Sequence, residues 1–301
     1  MKIATIDIGT NFIHMLVASV TLVAVATQLD AQRPSLVVQG EAVRRIADGF
    51  GFVEGPAADL DGNLYFSDIP RERIYRWNPE SGIDTFRKET GGANGLRFTP
   101  DGQLLICEMN NRRITAIDST GTVSVVAETF EGRRFNSPND LWIDPTGGVY
   151  FTDPRYGSDE NREMDGNHVY YISPDRTIIR RVIDDLVRPN GITGTLDGSR
   201  VYVADHGAGQ TFVYRPSADG SLEDKRLFAM QGSDGMTVDE LGNVYLTGQD
   251  ITVYNPNGDQ TNSIAVPETP ANLTFGGEDG KTLFIAARTS LYALKMNVTG
   301  Q

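Results

Sequence analysis

The sequence is short of the residues on which many functions depend. Its 301 residues include one cysteine, Cys107, so neither a disulfide framework nor a thiolate zinc site can form within the chain. Cys107 closes the apolar run Leu104-Leu105-Ile106 and reads as a small buried hydrophobe rather than a nucleophile. Basic residues are outnumbered, 27 Lys and Arg against 40 Asp and Glu, for a net charge of −13. The basic face that neutralises phosphates is therefore missing, and no nucleic-acid partner is expected. No Gly-x-Ser-x-Gly phrase occurs, which removes the nucleophile elbow of a serine hydrolase of the α/β type. Gly207-Ala208-Gly209 lacks the third glycine of a dinucleotide loop and runs into a strand. No stretch shows a capped helical period.

Long apolar runs are also scarce, with one exception. Met15 to Ala26 reads MLVASVTLVAVA and ends in small residues. A run of this length suits a secretory leader better than a spanning helix. Residues 1–31 are accordingly read as a signal peptide or membrane-targeting leader, which places the protein in the periplasm or outside the cell. A membrane partner is expected only if the leader stays uncleaved.

What is abundant is glycine, 32 residues, and much of it recurs in one setting. An Asp/Gly-rich turn leads directly into a β-branched and aromatic run six times, as in Asp61-Gly62-Asn63-Leu64-Tyr65-Phe66 and Asp197-Gly198-Ser199-Arg200-Val201-Tyr202. The turn glycines fall at 62, 102, 147, 198, 242 and 280. Such a turn before an apolar run is a strong hairpin signal, because glycine supplies the positive φ. A spacing of about 40–50 residues is that of one four-stranded propeller blade. The chain is read as all-β, a six-bladed β-propeller over residues 40–301, with a central metal site for the reason that follows.

Eight residues before each turn glycine stand Glu54, Asn94, Asn139, Asn190, Asp234 and Asn272. All six carry side-chain oxygen. A fixed offset places them at one structural position, the start of each innermost strand, facing the central channel. Asn and Asp are poor strand formers; they also cap turns, but that role does not predict a Glu. Carboxylates and amide oxygens are hard ligands that suit Ca²⁺ best, with Mg²⁺, Mn²⁺ or Zn²⁺ as alternatives. Zinc suits least, since no His or Cys sits in this register. Glu54 and Asp234 together balance a divalent charge.

Several phrases carry a resemblance. They are Val53-Glu54-Gly55-Pro56, Asn136-Ser137-Pro138-Asn139-Asp140-Leu141, Thr152-Asp153-Pro154-Arg155-Tyr156-Gly157, Val187-Arg188-Pro189-Asn190-Gly191, Tyr202-Val203-Ala204-Asp205 and Ser233-Asp234-Gly235-Met236. In order and in register, they resemble the gluconolactonase, regucalcin (senescence marker protein) and luciferin-regenerating-enzyme family, its bacterial gluconolactonases most of all. The resemblance implies a metal-dependent hydrolase that opens a small lactone or ester. It implies Glu54, Asn190 and Asp234 as metal ligands, with Asn139 a ligand in some members and a substrate or water contact in others. The animal branch has a sugar-holding Arg where this chain has Ser137. Asp234 is the catalytic candidate, as general base or as nucleophile. Asn94, Asn272, Tyr156, Asp205 and His206 are expected around substrate or ligands, although His206 is placed at the strand end away from the metal. The alternatives are a metal-stabilised propeller that only binds, or a promiscuous aryl esterase or phosphotriesterase of the same fold.

Overall fold

The structure, a computed structural model, describes residues 35–301; the leader read over 1–31 lies outside them. The six expected turns are present. Gly62, Gly102, Gly147, Gly198, Gly242 and Gly280 all hold positive φ, from 66° to 92°. Each amide donates to the carbonyl three residues back, as Gly147 N does to Asp144 O at 2.9 Å. In three of the turns that earlier residue is an aspartate, Asp59, Asp144 or Asp239, whose Oδ1 also accepts backbone amides of the turn. The turn is closed twice, by backbone and by side chain.

Each turn joins the first two strands of an antiparallel four-stranded sheet, and there are six such sheets among the described residues. Blade 1 comprises Val53–Ala58, Leu64–Asp68, Arg73–Asn78 and Gly82–Lys88. The second strand of a blade is sandwiched on both faces and buried throughout, as in Leu64–Asp68, Val149–Asp153 and Val201–Asp205. That is why it reads as a continuous apolar run. The outermost strand, such as Gly82–Lys88, is almost wholly exposed. In blade 6 the outermost strand is Arg44–Asp48, from the other end of the chain, paired with Ser290–Lys295. The ring is thus closed by hydrogen bonds between the first and last strands, which leaves no free edge at the join.

Six buried apolar clusters lie at the six blade-to-blade interfaces. Between blades 3 and 4, for example, Trp142 and Tyr150 stack at 5.8 Å and pack with Ile192 and Val203. A fully buried side chain of this size contributes about 1.5–3 kcal/mol. Cys107 is fully buried in the cluster between blades 2 and 3, and burial pushes its thiol pKa well up. Both facts agree with an inert apolar role.

Candidate functional site

The innermost strands run outward from the axis end that carries the six oxygen-bearing residues. They are Val53–Ala58, Ala93–Phe98, Leu141–Ile143, Pro189–Gly194, Met236–Val238 and Pro270–Gly276. The strand pairing slips beside Glu54, Asn94, Asn190 and Asn272, and a bulge of this kind re-aims the side chain it carries. The glycine after Glu54, Asn190 and Asp234 has its own cause. A Cβ on Gly55 would lie 2.0 Å from Asn94 O, one on Gly191 2.6 Å from Asp234 O, and one on Gly235 2.1 Å from Asn272. The inner strands of successive blades touch at the axis, and only a residue without a side chain fits between them. Hydroxyls from the second strands lock this packing: Ser67 donates to Asn94 O at 2.8 Å and Thr152 to Asn190 O at 2.7 Å.

The ring residues meet across blades. Asn272 Nδ2 donates to Glu54 Oε2 at 3.0 Å, and Gly55 N donates to the same oxygen at 2.8 Å. Asn190 Nδ2 donates to Asp234 Oδ1 and to the Tyr156 hydroxyl, both at 2.7 Å. Asn94 Nδ2 reaches the Met109 sulfur at 3.1 Å. Asn139 is buried, and its side chain has no protein hydrogen-bond partner among the described residues. Glu54 is 3% exposed, and burial followed by the charge of Asp234 pushes its pKa well up. Burial also raises Asp234, against the opposing influence of His206, Asn190 and Arg288. Two carboxylates held close in a poorly solvated place favour a cation between them. Among the described residues no group of three or more His, Cys, Asp or Glu is placed to share a metal. The donors here are two carboxylates and several amides, a set that fits calcium or magnesium and not zinc.

A cavity of about 500 Å³ opens off Asp234, lined by Phe52, His206, Thr247, Gln249 and Arg288 among others. His206 therefore stands at the same end of the propeller as Asp234, which corrects the placement drawn from sequence. The antiparallel register pairs Pro189 with Asp205, so the second strand of blade 4 returns to the end from which the first departs. Asp205 stands one step back. Its carboxylate accepts the amides of Val187 at 2.8 Å, Arg188 at 2.9 Å and Ala208 at 3.1 Å, and so fixes the loop that delivers Asn190. Tyr156 rides on a loop pinned by Arg155, whose guanidinium donates to Asn136 O, Ser158 O and Glu160 O. Ser137 bonds to Asp153 and Met109 O.

Sequence reasoning gave no role to Asp140, Phe52 or Arg288. Asp140 is buried and its pKa is pushed up to about 7, by burial first, although the amides of Leu141 and Ile192 oppose this. Its place in the Asn139-Asp140 phrase was the available signal. Arg288 sits outside every repeated phrase and left none.

A family profile described as "SMP-30/Gluconolactonase/LRE-like region" matches residues 52–289. The chain is 32% identical over 290 residues to a gluconolactonase of Zymomonas mobilis, covering 85% of this chain and 81% of that protein. It superposes on a gluconolactonase from Xanthomonas campestris with a TM-score of 0.79 at 26% identity, over 88% of this chain and 95% of that one. A calcium-binding regucalcin from Agrobacterium tumefaciens gives 0.74 at 19% identity, over 87% and 96%; at that identity the likeness concerns the fold.

Proposed function

The chain belongs to the SMP-30/gluconolactonase/LRE-like family, and on that premise we propose that it hydrolyses small lactones at the propeller axis, with a divalent cation, calcium foremost, held by Glu54, Asn190 and Asp234 and assisted by Asn139. The observation that carries this reading is the convergence of Glu54 and Asp234, two carboxylates from blades 1 and 5, among amides from the blades between. The names of the relatives, gluconolactonase and pentonolactonase, supply the substrate class, and the likeness in fold to a calcium-binding regucalcin supports calcium.

Bound there, the cation supplies polarisation of the lactone carbonyl and stabilisation of the oxyanion. The protein supplies the rest. Asp234 borders the cavity and takes a proton from water as the water oxygen bonds to the acyl carbon. The ring C–O bond then breaks, the leaving oxygen takes up a proton, and a hydroxy acid results. The Asn190 amide, bonded to both Asp234 and Tyr156, fixes the direction in which Asp234 accepts.

The test is hydrolysis of a panel of aldonolactones and aryl esters with and without chelator, for wild type and Asp234→Ala. Turnover that needs metal and vanishes in the variant supports the reading. Tight metal binding with no turnover on the whole panel would leave a binding platform instead. We also propose export through the leader at 1–31; recovery of the protein solely from the cytosolic fraction of broken cells contradicts this.

A further inference from the structure

The chain is acidic overall, at −13, yet basic residue types gather at the mouth of the site. His206 and Arg288 line the cavity beside Asp234. The Arg288 guanidinium stands over the Phe52 ring at 5.8 Å, and the Arg188 guanidinium over Tyr156 at 5.0 Å. Among the described residues neither guanidinium makes an ion pair or donates a hydrogen bond to protein, and Arg188 Nε is buried without a partner. Structural arginines nearby behave differently: Arg112 is spent on Phe135 O, Arg134 O, Asn161 O and Glu163.

The backbone under Arg288 is held firmly. Its carbonyl accepts Val53 N at 2.9 Å, the next carbonyl accepts Phe50 N at 3.1 Å, and Thr289 N donates to Glu268 at 2.9 Å. Arg288 also keeps a φ of 48°, a left-handed backbone that a non-glycine residue adopts at a cost. A fixed base thus presents an exposed guanidinium to the cavity, free to exchange water for a ligand. Arg288 is the arginine that lines the cavity itself, beside Asp234, and it brings a permanent positive charge to that wall. Neutral ring hydroxyls would leave that charge uncompensated; an anion would satisfy it with charge-assisted hydrogen bonds.

We propose that the site selects lactones carrying a second, anionic group on the ring substituent, a carboxylate or a phosphate, and that Arg288 is the residue that holds it. This deepens, and rests on, the reading of the axis as the reaction centre. The substrates that separate the cases are an aldono-1,4-lactone, the same ring with a terminal carboxylate, and the same ring with a terminal phosphate. With the calcium-loaded full-length protein, kcat/KM for at least one acidic lactone exceeds that for the neutral one tenfold or more. Which acid wins identifies the anion. Arg288→Gln lowers the acidic-to-neutral ratio at least tenfold, mainly through KM, whereas Arg76→Gln, on the outer face of blade 1 and paired with Asp84, leaves the ratio alone.

Calorimetric titration with the ring-opened acids reads the same preference without turnover. The acid with the extra anionic group binds at least tenfold more tightly than the simple monoacid, and Arg288→Gln erases the difference. Equal or weaker handling of the acidic compounds by wild type overturns the proposal, as does a ratio untouched by Arg288→Gln. Hydrolysis with no preference for acids sinks the anion site alone. A preference in titration with no hydrolysis of any lactone sinks the catalytic reading alone.

Discussion

Replacing Glu54 with glutamine separates the burden of the axis carboxylates from their use. In the metal-free protein Glu54 is buried and opposed by the charge of Asp234. Glutamine keeps an acceptor for Gly55 N and Asn272 Nδ2, at 2.8 and 3.0 Å in the parent, and removes the ionisable group. Metal-free Glu54→Gln should therefore be more stable than metal-free wild type, by on the order of 1–3 kcal/mol. Calcium reverses the order. At roughly a hundredfold excess over its dissociation constant, it adds about 2.7 kcal/mol to wild type by mass action. For a domain of this size that is a rise in Tm of roughly 5 °C. The variant, with one of the two proposed carboxylate ligands gone, should show less than half that rise. The assay is thermal unfolding of both proteins at pH 7.5, in chelator and across a calcium titration. A metal-free variant that melts below wild type, together with calcium shifts of equal size in both, would refute the reasoning.

Three further outcomes follow from individual contacts. Asp140 and Asp153 are each pushed up to about 7 by burial, so between about pH 4 and 7 they bind more protons folded than unfolded, and stability falls as pH rises through that window. In chelator the Tm should drop from pH 5 to pH 7.5; a steady rise over the same range contradicts the burial argument. Tyr156→Phe removes the hydroxyl that accepts from Asn190 at 2.7 Å and should lower kcat/KM about tenfold, roughly 1.4 kcal/mol, with calcium affinity within threefold. Gly191→Ala places a methyl 2.6 Å from the Asp234 carbonyl oxygen; the strain should cost about 1–3 kcal/mol in unfolding titrations, and unchanged stability would mean that the inner strands are not in contact at the axis.

Much of this architecture was legible because the fold repeats. Six turn glycines with positive φ and six second strands that are buried, save for Thr282 at the start of the last, follow from chemistry that must recur in every blade, and recurrence is what a single sequence can display. The oxygen-bearing ring was legible for the same reason, through its constant offset from the turns. Arg44–Asp48 was not. It is a mostly exposed outer strand, so no apolar alternation marks it, and its partner lies at the far end of the chain. The error over His206 came from treating a strand as leading away from the site without pairing it; the register of Pro189 with Asp205 brings it back. Arg288 was invisible because a hairpin tip has no periodic neighbours, and its place over Phe52, beside the cavity, arises from packing across blades 6 and 1.

A cation at the axis underlies all of the proposed chemistry. Diffraction from crystals of the full-length protein grown with calcium, with anomalous data to locate the ion, tests this most directly. The expected result is one strong site within about 2.3–2.6 Å of oxygens from Glu54, Asn190 and Asp234. An axis holding only water, or a calcium ion bound elsewhere while Asn190 keeps its bond to Asp234 and Asn272 its bond to Glu54, would contradict it.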